Sequence, residues 1–242
     1  MTLWSELARA TTVAGDEILL RRRGDIFEIR FNGMELMSNL NHQSEGILAM
    51  RSLWLHGHAR ARVLVGGLGM GFTLRAALDL LDGASRVTVC ELIPQIAGWN
   101  RGVLGALASH PLRDPRVDLR VADVMEVLER EPDAFDVILM DTDNGPDFTV
   151  RKSNDRLYAP SGLAAVRHAL RPGGIAAFWS ATISSRFEHE LSAEDWHWRR
   201  DDVHLVGCRA DAFHHIYFAS DRPERIGLAP KPQRREPALY QS

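Results

Sequence analysis

The chain has 242 residues, of which 45% are hydrophobic and 25% charged, so it can bury the core of one domain with a small appendage. Its formal net charge of −3 provides no overall basic field, which argues against a nucleic-acid partner and against binding to an anionic membrane. No apolar run reaches the roughly 18 residues that span a bilayer, so no membrane partner is expected.

Both cysteines occur inside apolar, strand-like runs, Cys90 in VTVCEL and Cys208 in VGCRA. This pattern is typical of buried thiols in a reducing compartment rather than of a disulfide framework. The N-terminal MTLWSELARATT also lacks the basic start and apolar core of a signal peptide. These features together predict a cytoplasmic protein.

Residues 16–37 predict a small antiparallel ribbon. EILLRR and DIFEIRF read as strands, and Asn32-Gly33 precedes MELM. Asn-Gly between two such runs is a strong hairpin signal. The next segment, SEGILAMRSLWLH at 44–56, has helical spacing and links the ribbon to the rest of the chain.

From Arg62 onward, short apolar runs alternate with longer amphipathic ones. The predicted strands are RVLVG, RVTVCE, VDLRVA, DVILMD and GIAAFWS, and helices are predicted after Gly71, Pro94, Asp123 and Pro160. Strands alternating with helices indicate βαβ units and a mostly parallel sheet. Pro172-Gly173-Gly174 is expected to end the last helix. The fold class is therefore α/β, a doubly wound Rossmann-like domain.

Two late runs, DVHLVGCRA and AFHHIYFAS, predict an antiparallel pair at one edge of this sheet. The last residues are rich in Pro and Arg and predict a flexible tail. The expected organisation is a ribbon and linking helix over 1–57, a nucleoside-binding domain over 58–222 and a tail over 223–242.

The stretch VLVGGLGMG contains four glycines between positions 66 and 71. In open α/β sheets the ligand lies beyond the carboxyl ends of the strands, where a glycine-rich turn lets backbone N–H groups approach it. The spacing is G-x-G-x-G at Gly67, Gly69 and Gly71, and Phe72 stands where a dinucleotide fingerprint would need glycine. The alternative is that these glycines only form a tight turn and allow close helix packing.

Three carboxylates end the next three strands. Glu91 follows Gly71 by 20 residues, where an acid can accept hydrogen bonds from ribose hydroxyls. Asp123 faces the exocyclic amine of a purine or caps the helix that follows it. Asp141 ends the fourth strand. Because parallel strands deliver their carboxyl ends to one edge, these residues predict a single crevice for a nucleoside-containing ligand.

In this order and spacing, the motifs resemble the class I S-adenosylmethionine-dependent transferases, which share the Rossmann-like methyltransferase fold. Within them the chain resembles the polyamine synthase (spermidine synthase-like) group over about residues 17–182. The motifs that carry this resemblance are VLVGGLGMG, VCELIP, VADVMEVL, DVILMDTDNGP and LYAPSGLAAVRHALRPGGIAAFWSA. The resemblance and the exposed ribbon edges also predict a homodimer.

The resemblance assigns roles around a co-substrate that is S-adenosylmethionine or its decarboxylated form. It implies that Gly67, Gly69 and Gly71 face the methionine part, Glu91 the ribose and Asp123 the adenine amine. It places Asp141 at the reacting end, where a nucleophile displaces the sulfonium. The acceptor is expected to be a small molecule, in the first instance an amine, and no metal is expected.

Several positions depart from the group's usual pattern. Met70 replaces an aspartate in the glycine motif, and Asn144 stands where the general base is expected, which makes Asp143 or Asp147 its replacement. A histidine-glutamate pair becomes Ser44-Glu45. The remaining candidates for the acceptor side are His42, Gln43, Glu45, Asn144 and Tyr158, although Ser44 capping a helix among polar neighbours and Tyr158 packing in the core are open alternatives. His214 and His215 are interpreted as structural.

Three functions remain open from the sequence. The first is aminopropyl transfer to an amine, with Asp141 and Asp143 as catalytic residues. The second is methyl transfer from intact S-adenosylmethionine to a small acceptor, which the missing carboxylate at Met70 favours. The third is nucleoside binding without turnover, which Asn144 favours because an amide cannot accept a proton.

Overall fold

The computed structural model describes residues 3–12, 14–149, 151–205 and 212–227. Cys208 and most of the expected tail, residues 228–242, lie outside the described residues. Within them the chain forms a four-stranded antiparallel sheet and a seven-stranded mixed sheet. In the part of the chain that is described, no helix is long and apolar enough to cross a membrane.

The N-terminal sheet has its strands in chain order: β1 (Ser5–Thr11), β2 (Glu17–Arg23), β3 (Ile26–Phe31) and β4 (Met34–Ser38). Asn32 and Gly33 join β3 to β4 with φ angles of 47° and 79°, and two positive φ angles are what a type I′ hairpin turn requires. The predicted hairpin is confirmed. β1 was not predicted because its sequence, SELARAT, is largely exposed and lacks apolar alternation.

The large sheet has the order β10-β11-β9-β8-β5-β6-β7. Its strands are β5 (Arg62–Gly66), β6 (Arg86–Glu91), β7 (Val117–Val121), β8 (Phe135–Met140), β9 (Leu170–Ser180), β10 (His197–His204) and β11 (Phe213–Ser220). β5 to β9 are parallel, whereas β10 and β11 form an antiparallel edge, as the sequence predicts. The strand order reverses between β5 and β8, and ligands of such sheets bind at this switch point.

Helices cover both faces of the large sheet. They are α1 (Gln43–His56), α2 (Phe72–Leu80), α3 (Pro94–Arg101), α4 (Val124–Arg130), α5 (Pro160–Ala169) and α6 (Ser185–Ala193). One apolar cluster lies under α1 and α2, and another lies under α4, α5 and α6. A third joins β2 and β3 to the turn after β5 and to α3. The small sheet is thereby packed beside the switch point.

Two local predictions were wrong. Pro172-Gly173-Gly174 does not end a helix, because α5 ends at Ala169 and β9 already begins at Leu170. Gly173 has a φ of 75°, and the register between β8 and β9 shifts nearby, so the glycine makes an irregularity inside the strand. β10 begins at His197, before the predicted run that starts at Asp202. The helix α6 was not predicted from the sequence.

Candidate active site

A cavity of about 410 Å³ lies beyond the carboxyl ends of β5, β6, β7 and β8. The loops after these strands form much of its wall, and β4 and the start of α1 contribute to the rest. Among the described residues that line it, the charged side chains are six carboxylates and one guanidinium. They are Glu35, Glu45, Glu91, Asp123, Asp141, Asp143 and Arg151.

The glycine turn packs closely against the protein itself as well as lining the cavity. Gly67 has a φ of 91°, and a Cβ there would lie 2.0 Å from the Asp141 carbonyl oxygen. A Cβ on Gly69 would lie 2.7 Å from Met37 Sδ. Gly71 is the N-cap residue of α2 and does not line the cavity, and a Cβ on it would lie 3.0 Å from Pro111 Cγ. The structure therefore brings Gly67 and Gly69 to the predicted crevice but not Gly71.

Glu91 is a buried carboxylate at the end of β6 that lines the cavity. Its Oε2 accepts from Leu68 N–H at 3.1 Å, and its Oε1 accepts from Ile93 N–H at 2.8 Å. Burial raises the pKa of Glu91, while these backbone N–H groups act in the opposite direction. The side chain is thus fixed by the turns after β5 and β6, whose Gly69 and Leu92 N–H groups also act to lower its pKa.

Asp123 occupies the end of β7 and is the N-cap of α4. Its Oδ1 accepts from Met125 N–H at 2.9 Å, which is the capping interaction that the sequence left as one of two alternatives. Its Oδ2 accepts from the Arg156 guanidinium at 2.5 Å. Asp123 also lines the cavity, so capping and ligand contact are compatible at this residue.

Asp141 follows β8 and lines the cavity, as predicted. Thr73 Oγ1, from α2, donates to Asp141 Oδ2 at 2.6 Å. Burial raises the pKa of Asp141, and the hydrogen bond from Thr73 opposes that rise. An aspartate whose pKa is raised is suited to orient an amine or to take its proton near neutral pH.

Glu45 lies on the other side of the cavity, in the first turn of α1, and is only 6% exposed. Burial, and then the negative charge of Asp141, raise the pKa of Glu45. Ser44 does not cap α1 as expected, because the helix begins at Gln43 and no side chain caps it. Instead, Ser44 Oγ lies 2.7 Å from Glu45 Oε2.

Ser44 joins Glu45 to two side chains from the large sheet. Trp179 Nε1–H of β9 donates to Ser44 Oγ at 3.0 Å, and His214 Nδ1 of β11 lies 2.8 Å from the same oxygen. His214 lines the cavity, and burial lowers its pKa to about 4, so the imidazole is neutral. The sequence interpretation of His214 as purely structural did not anticipate this placement.

Asp143 and Asn144 both line the cavity, in the loop after Asp141. The Asp143 carboxylate accepts from Asn144 N–H at 2.8 Å and from Asn154 Nδ2 at 2.8 Å, so it ties the loop to the 3-10 helix Lys152–Tyr158. Its catalytic role stays a prediction. Asp147 does not line the cavity and accepts from Ser184 Oγ at 2.8 Å.

Met70 is fully buried in the apolar cluster beneath the small sheet, and its N–H donates to Met37 Sδ at 3.2 Å. This position of the glycine turn therefore presents no carboxylate. The acids that line the cavity include instead Asp141, which follows β8, and Glu45 of α1.

Three candidates for the acceptor wall do not line the cavity. Gln43 is the first residue of α1, and the ring of His42 stacks on Phe72 at 3.9 Å. Tyr158 is 1% exposed, and its ring packs on Phe187, which corresponds to the packing alternative. Among the candidates from the sequence, Glu45 and Asn144 are the ones that the structure brings to the cavity on this side.

Several residues of the site had no signal in the sequence. Thr73, Trp179 and His214 reach it through long-range contacts, and Arg151 lies with its guanidinium carbon 5.8 Å from the Phe31 ring centroid. Across the described ranges, no group of three or more His, Cys, Asp and Glu side chains is arranged to hold a metal ion.

Comparisons with solved structures show a similar fold. Spermidine synthase from Thermotoga maritima has 19% sequence identity and a TM-score of 0.72, with 91% of this chain and 74% of that chain covered. A spermidine synthase in complex with the transition-state analogue AdoDATO has 18% identity and a TM-score of 0.70, with the same coverage.

Curated relatives are similar in sequence over part of their length. Polyamine aminopropyltransferase 2 of Pseudomonas aeruginosa is 28% identical over 182 residues, 73% of this chain and 46% of the relative. Polyamine aminopropyltransferase 2 of Ralstonia nicotianae is 30% identical over 166 residues, 63% of this chain and 31% of the relative. The chain thus spans less than half the length of these two relatives.

The family model of the spermine/spermidine synthase domain matches residues 45–194, which is more than half of the chain. That range begins at Glu45 and includes the glycine turn and the strand-end carboxylates Glu91, Asp123 and Asp141. The chain belongs to the spermine/spermidine synthase family.

Proposed function

We propose that this chain transfers an aminopropyl group from decarboxylated S-adenosylmethionine to an amine. The acidic lining of the cavity carries the proposal, because six acidic side chains and one guanidinium line it in the described residues. Decarboxylated S-adenosylmethionine has a sulfonium and a free ammonium but no carboxylate, and the acceptor amine is also cationic. A strongly acidic cavity attracts both reactants.

The cavity has two ends with different tasks. Gly67, Gly69, Glu91 and Asp123 form the donor end, which is proposed to hold the nucleoside. Glu91 lines this end and is proposed to accept from ribose hydroxyls, and Asp123 is proposed to accept from the adenine amine. The acceptor end consists of Glu45, Asp141, Asp143 and Asn144.

The reaction needs little chemical activation from the protein because the sulfonium is already a good leaving group. The nitrogen lone pair attacks the carbon next to sulfur, the new C–N bond forms, and the C–S electron pair returns to sulfur to give a thioether. The protein must align the two reactants and keep the attacking amine deprotonated. Asp141 and Glu45, whose pKa values are both raised, are suited to that proton transfer.

Methyl transfer from intact S-adenosylmethionine is the second candidate. Met70 leaves the glycine turn without a carboxylate, and the guanidinium of Arg151 lines the cavity. Arg151 is therefore available to pair with the carboxylate that intact S-adenosylmethionine retains. An Arg151→Gln variant separates the two candidates, since it should weaken binding of the carboxylated donor and leave that of the decarboxylated donor unchanged.

Calorimetric titration with S-adenosylmethionine, decarboxylated S-adenosylmethionine and methylthioadenosine tests the proposal. We expect tighter binding of the decarboxylated donor, and mass spectrometry should detect an aminopropylated product with one or more primary amines. Preference for the carboxylated donor with a methylated product would establish the second candidate. Binding of methylthioadenosine without product from any amine would instead indicate a nucleoside-binding protein without turnover.

The proposal also includes a cytoplasmic homodimer. Its cytoplasmic placement rests on the cysteine pattern, with Cys90 buried as a free thiol. The dimer rests on the small sheet, whose edge strands β1 and β4 expose Leu7 and Met34. Exposed edge strands with apolar side chains favour association. Light scattering on the purified chain should give twice the chain mass, and a Leu7→Lys, Met34→Lys double variant should give the monomer mass.

A further inference from the structure

The hydroxyl of Ser44 has three hydrogen-bond partners at the wall of the cavity. Glu45 Oε2 lies at 2.7 Å, His214 Nδ1 at 2.8 Å and Trp179 Nε1 at 3.0 Å. Ser44 is fully buried, so water does not complete its hydrogen bonds. A serine hydroxyl has one proton to donate and two lone pairs that accept.

This arrangement restricts where protons can be. The indole N–H of Trp179 only donates, so it occupies one lone pair of Ser44 Oγ. One donation and one acceptance remain for Glu45 and His214. If Glu45 is protonated, it donates to Ser44 and Ser44 donates to a bare Nδ1 of His214. If Glu45 is ionised, Ser44 donates to it and His214 must carry a proton on Nδ1.

We propose that Glu45, Ser44 and His214 form a proton relay that prepares Glu45 to take the proton of the acceptor amine. In the resting state Glu45 is protonated and the imidazole carries its proton on Nε2. Glu45 passes its proton to Ser44 while Ser44 passes its own to Nδ1, and Nε2 releases a proton to water. His214 is partly exposed and lines the cavity, which gives that proton a route out.

The step balances over one turnover of the proposed aminopropyl transfer, on which this inference rests. The ionised Glu45 takes one proton from the acceptor ammonium, and the neutral amine attacks the carbon next to the sulfonium. Glu45 is then protonated again, and the imidazole returns to its Nε2–H form by exchange with water. One proton has left for each amine consumed, in agreement with the net reaction of an ammonium with a sulfonium.

The surroundings of the relay favour the resting state. Burial and the facing Asp141 of β8 raise the pKa of Glu45, and burial lowers that of His214. His215 of β11 further disfavours a charged His214 and is itself hydrogen-bonded to Asp202 of β10 at 2.7 Å. Arg51 of α1 is paired with Asp201, also of β10, at 2.8 Å. Asp141 is thus the facing charge that acts directly on Glu45.

Nuclear magnetic resonance of the full chain without substrates tests the relay independently of any activity. With ¹⁵N-labelled histidine and ¹³C-labelled glutamate, the tautomer of His214 should switch from Nε2–H to Nδ1–H over the same pH range in which Glu45 ionises. In Ser44→Ala this coupling should disappear. A His214 tautomer that is independent of Glu45 in the wild-type protein would overturn the relay.

Kinetics test its role in catalysis. His214→Asn keeps a hydrogen-bond partner for Ser44 but cannot pass on a proton, so kcat at pH 7 should fall by about 10- to 100-fold. The donor Kd should stay unchanged. The fall in kcat should become smaller as the pH approaches the pKa of the acceptor amine. Added imidazole should restore part of kcat. His189→Asn, on the exposed surface of α6, is the matched control and should behave as wild type.

The outcomes separate the relay from the proposed function. If the wild type transfers aminopropyl groups but kcat of His214→Asn falls by the same factor at every pH, the relay is overturned. The proposed function then stands. Coupled titration without product from any amine would overturn the proposed function and the catalytic use of the relay. Coupled titration with a pH-dependent loss of rate supports both.

Discussion

Glu91 at the donor end and Glu45 at the acceptor end are both buried glutamates of one cavity, each 6% exposed, but they have different partners. Backbone N–H groups of Leu68 and Ile93 donate to Glu91. Glu45 is instead bonded to one hydroxyl and lies near the negative charge of Asp141. Burial raises the pKa of both, but backbone N–H donors oppose the rise at Glu91, whereas the charge of Asp141 adds to it at Glu45.

This difference suggests how one acidic cavity performs two tasks. The donor end is built from turns whose geometry is set by the backbone, and its carboxylates are proposed to bind. The acceptor end is built from side chains that share hydrogen bonds and charge, and its carboxylates are proposed to react. Substitutions at the two ends test this division.

Asp141→Asn should lower the rate of aminopropyl transfer by about 10²- to 10⁴-fold, because an amide has no negative charge with which to orient the acceptor amine and stabilise the positive charge that develops on its nitrogen. Binding of methylthioadenosine should stay within about tenfold, since the nucleoside is held at the other end. Steady-state kinetics and calorimetry measure the two quantities. Asp118→Asn, an exposed carboxylate of β7, is the control and should retain full activity. Loss of nucleoside binding with an unchanged rate for bound substrate would contradict the assignment of Asp141 to the acceptor end.

Glu91→Gln should weaken nucleoside binding by about 1.5 to 3 kcal/mol if the carboxylate accepts from the ribose hydroxyls. The amide also places an NH₂ group against the N–H of Leu68 or Ile93. The free energy of unfolding should therefore fall as well, by about 1 to 3 kcal/mol. Calorimetry and urea denaturation give the two values.

Glu126→Gln, on the exposed side of α4, is the matched control for Glu91. It should change neither the free energy of nucleoside binding nor the free energy of unfolding by more than about 0.5 kcal/mol. A Glu91→Gln protein that binds methylthioadenosine as tightly as wild type would remove Glu91 from the donor end.

The strand-end carboxylates of the cavity could be predicted from sequence because strand ends are local features. Apolar runs that end in Glu91, Asp123 and Asp141 mark the strands, and parallel strands bring those ends to one edge. His214 could not be predicted in this way. It reaches Ser44 across 170 residues of sequence, through the pairing of β11 with β9, and nothing in its own neighbourhood indicates this contact.

The loop after β8 shows a second limit of prediction from sequence. Asp143 was a candidate base because it is one residue from the expected position. In the structure its carboxylate accepts from Asn154 Nδ2, in the segment that follows the loop. Which way a loop side chain points depends on contacts made later in the chain, and the spacing of residues does not encode them.

The pH dependence of stability should reveal the titration of Glu45 at the acceptor end. Burial and Asp141 raise the pKa of Glu45 above its ordinary value of 4.5, so the folded state holds a proton that the unfolded state releases. The stabilisation from this proton is fully present below about pH 4.5 and is lost as the pH rises through the raised pKa. Glu45→Gln keeps a neutral side chain at every pH. Between pH 5 and 9 the wild type should therefore lose on the order of 2 kcal/mol more unfolding free energy than the variant. Parallel curves from urea denaturation would show that Glu45 does not titrate in that range.

Arg156→Ala should have the smallest effect on nucleoside binding. Whether binding tightens or weakens tests where the donor end stops. Arg156 is 47% exposed and pairs with Asp123, which also lines the cavity. Exposed ion pairs contribute about 0.2 to 1 kcal/mol, so the variant should unfold at nearly the wild-type urea concentration. Because the guanidinium competes with the adenine amine for Asp123, its removal should tighten nucleoside binding by less than about 1 kcal/mol at low salt. The gain should shrink at high salt, where the ion pair is already screened. A loss of affinity greater than tenfold would show instead that Arg156 contacts the nucleoside directly, and the boundary of the donor end would then extend to the segment between β8 and α5.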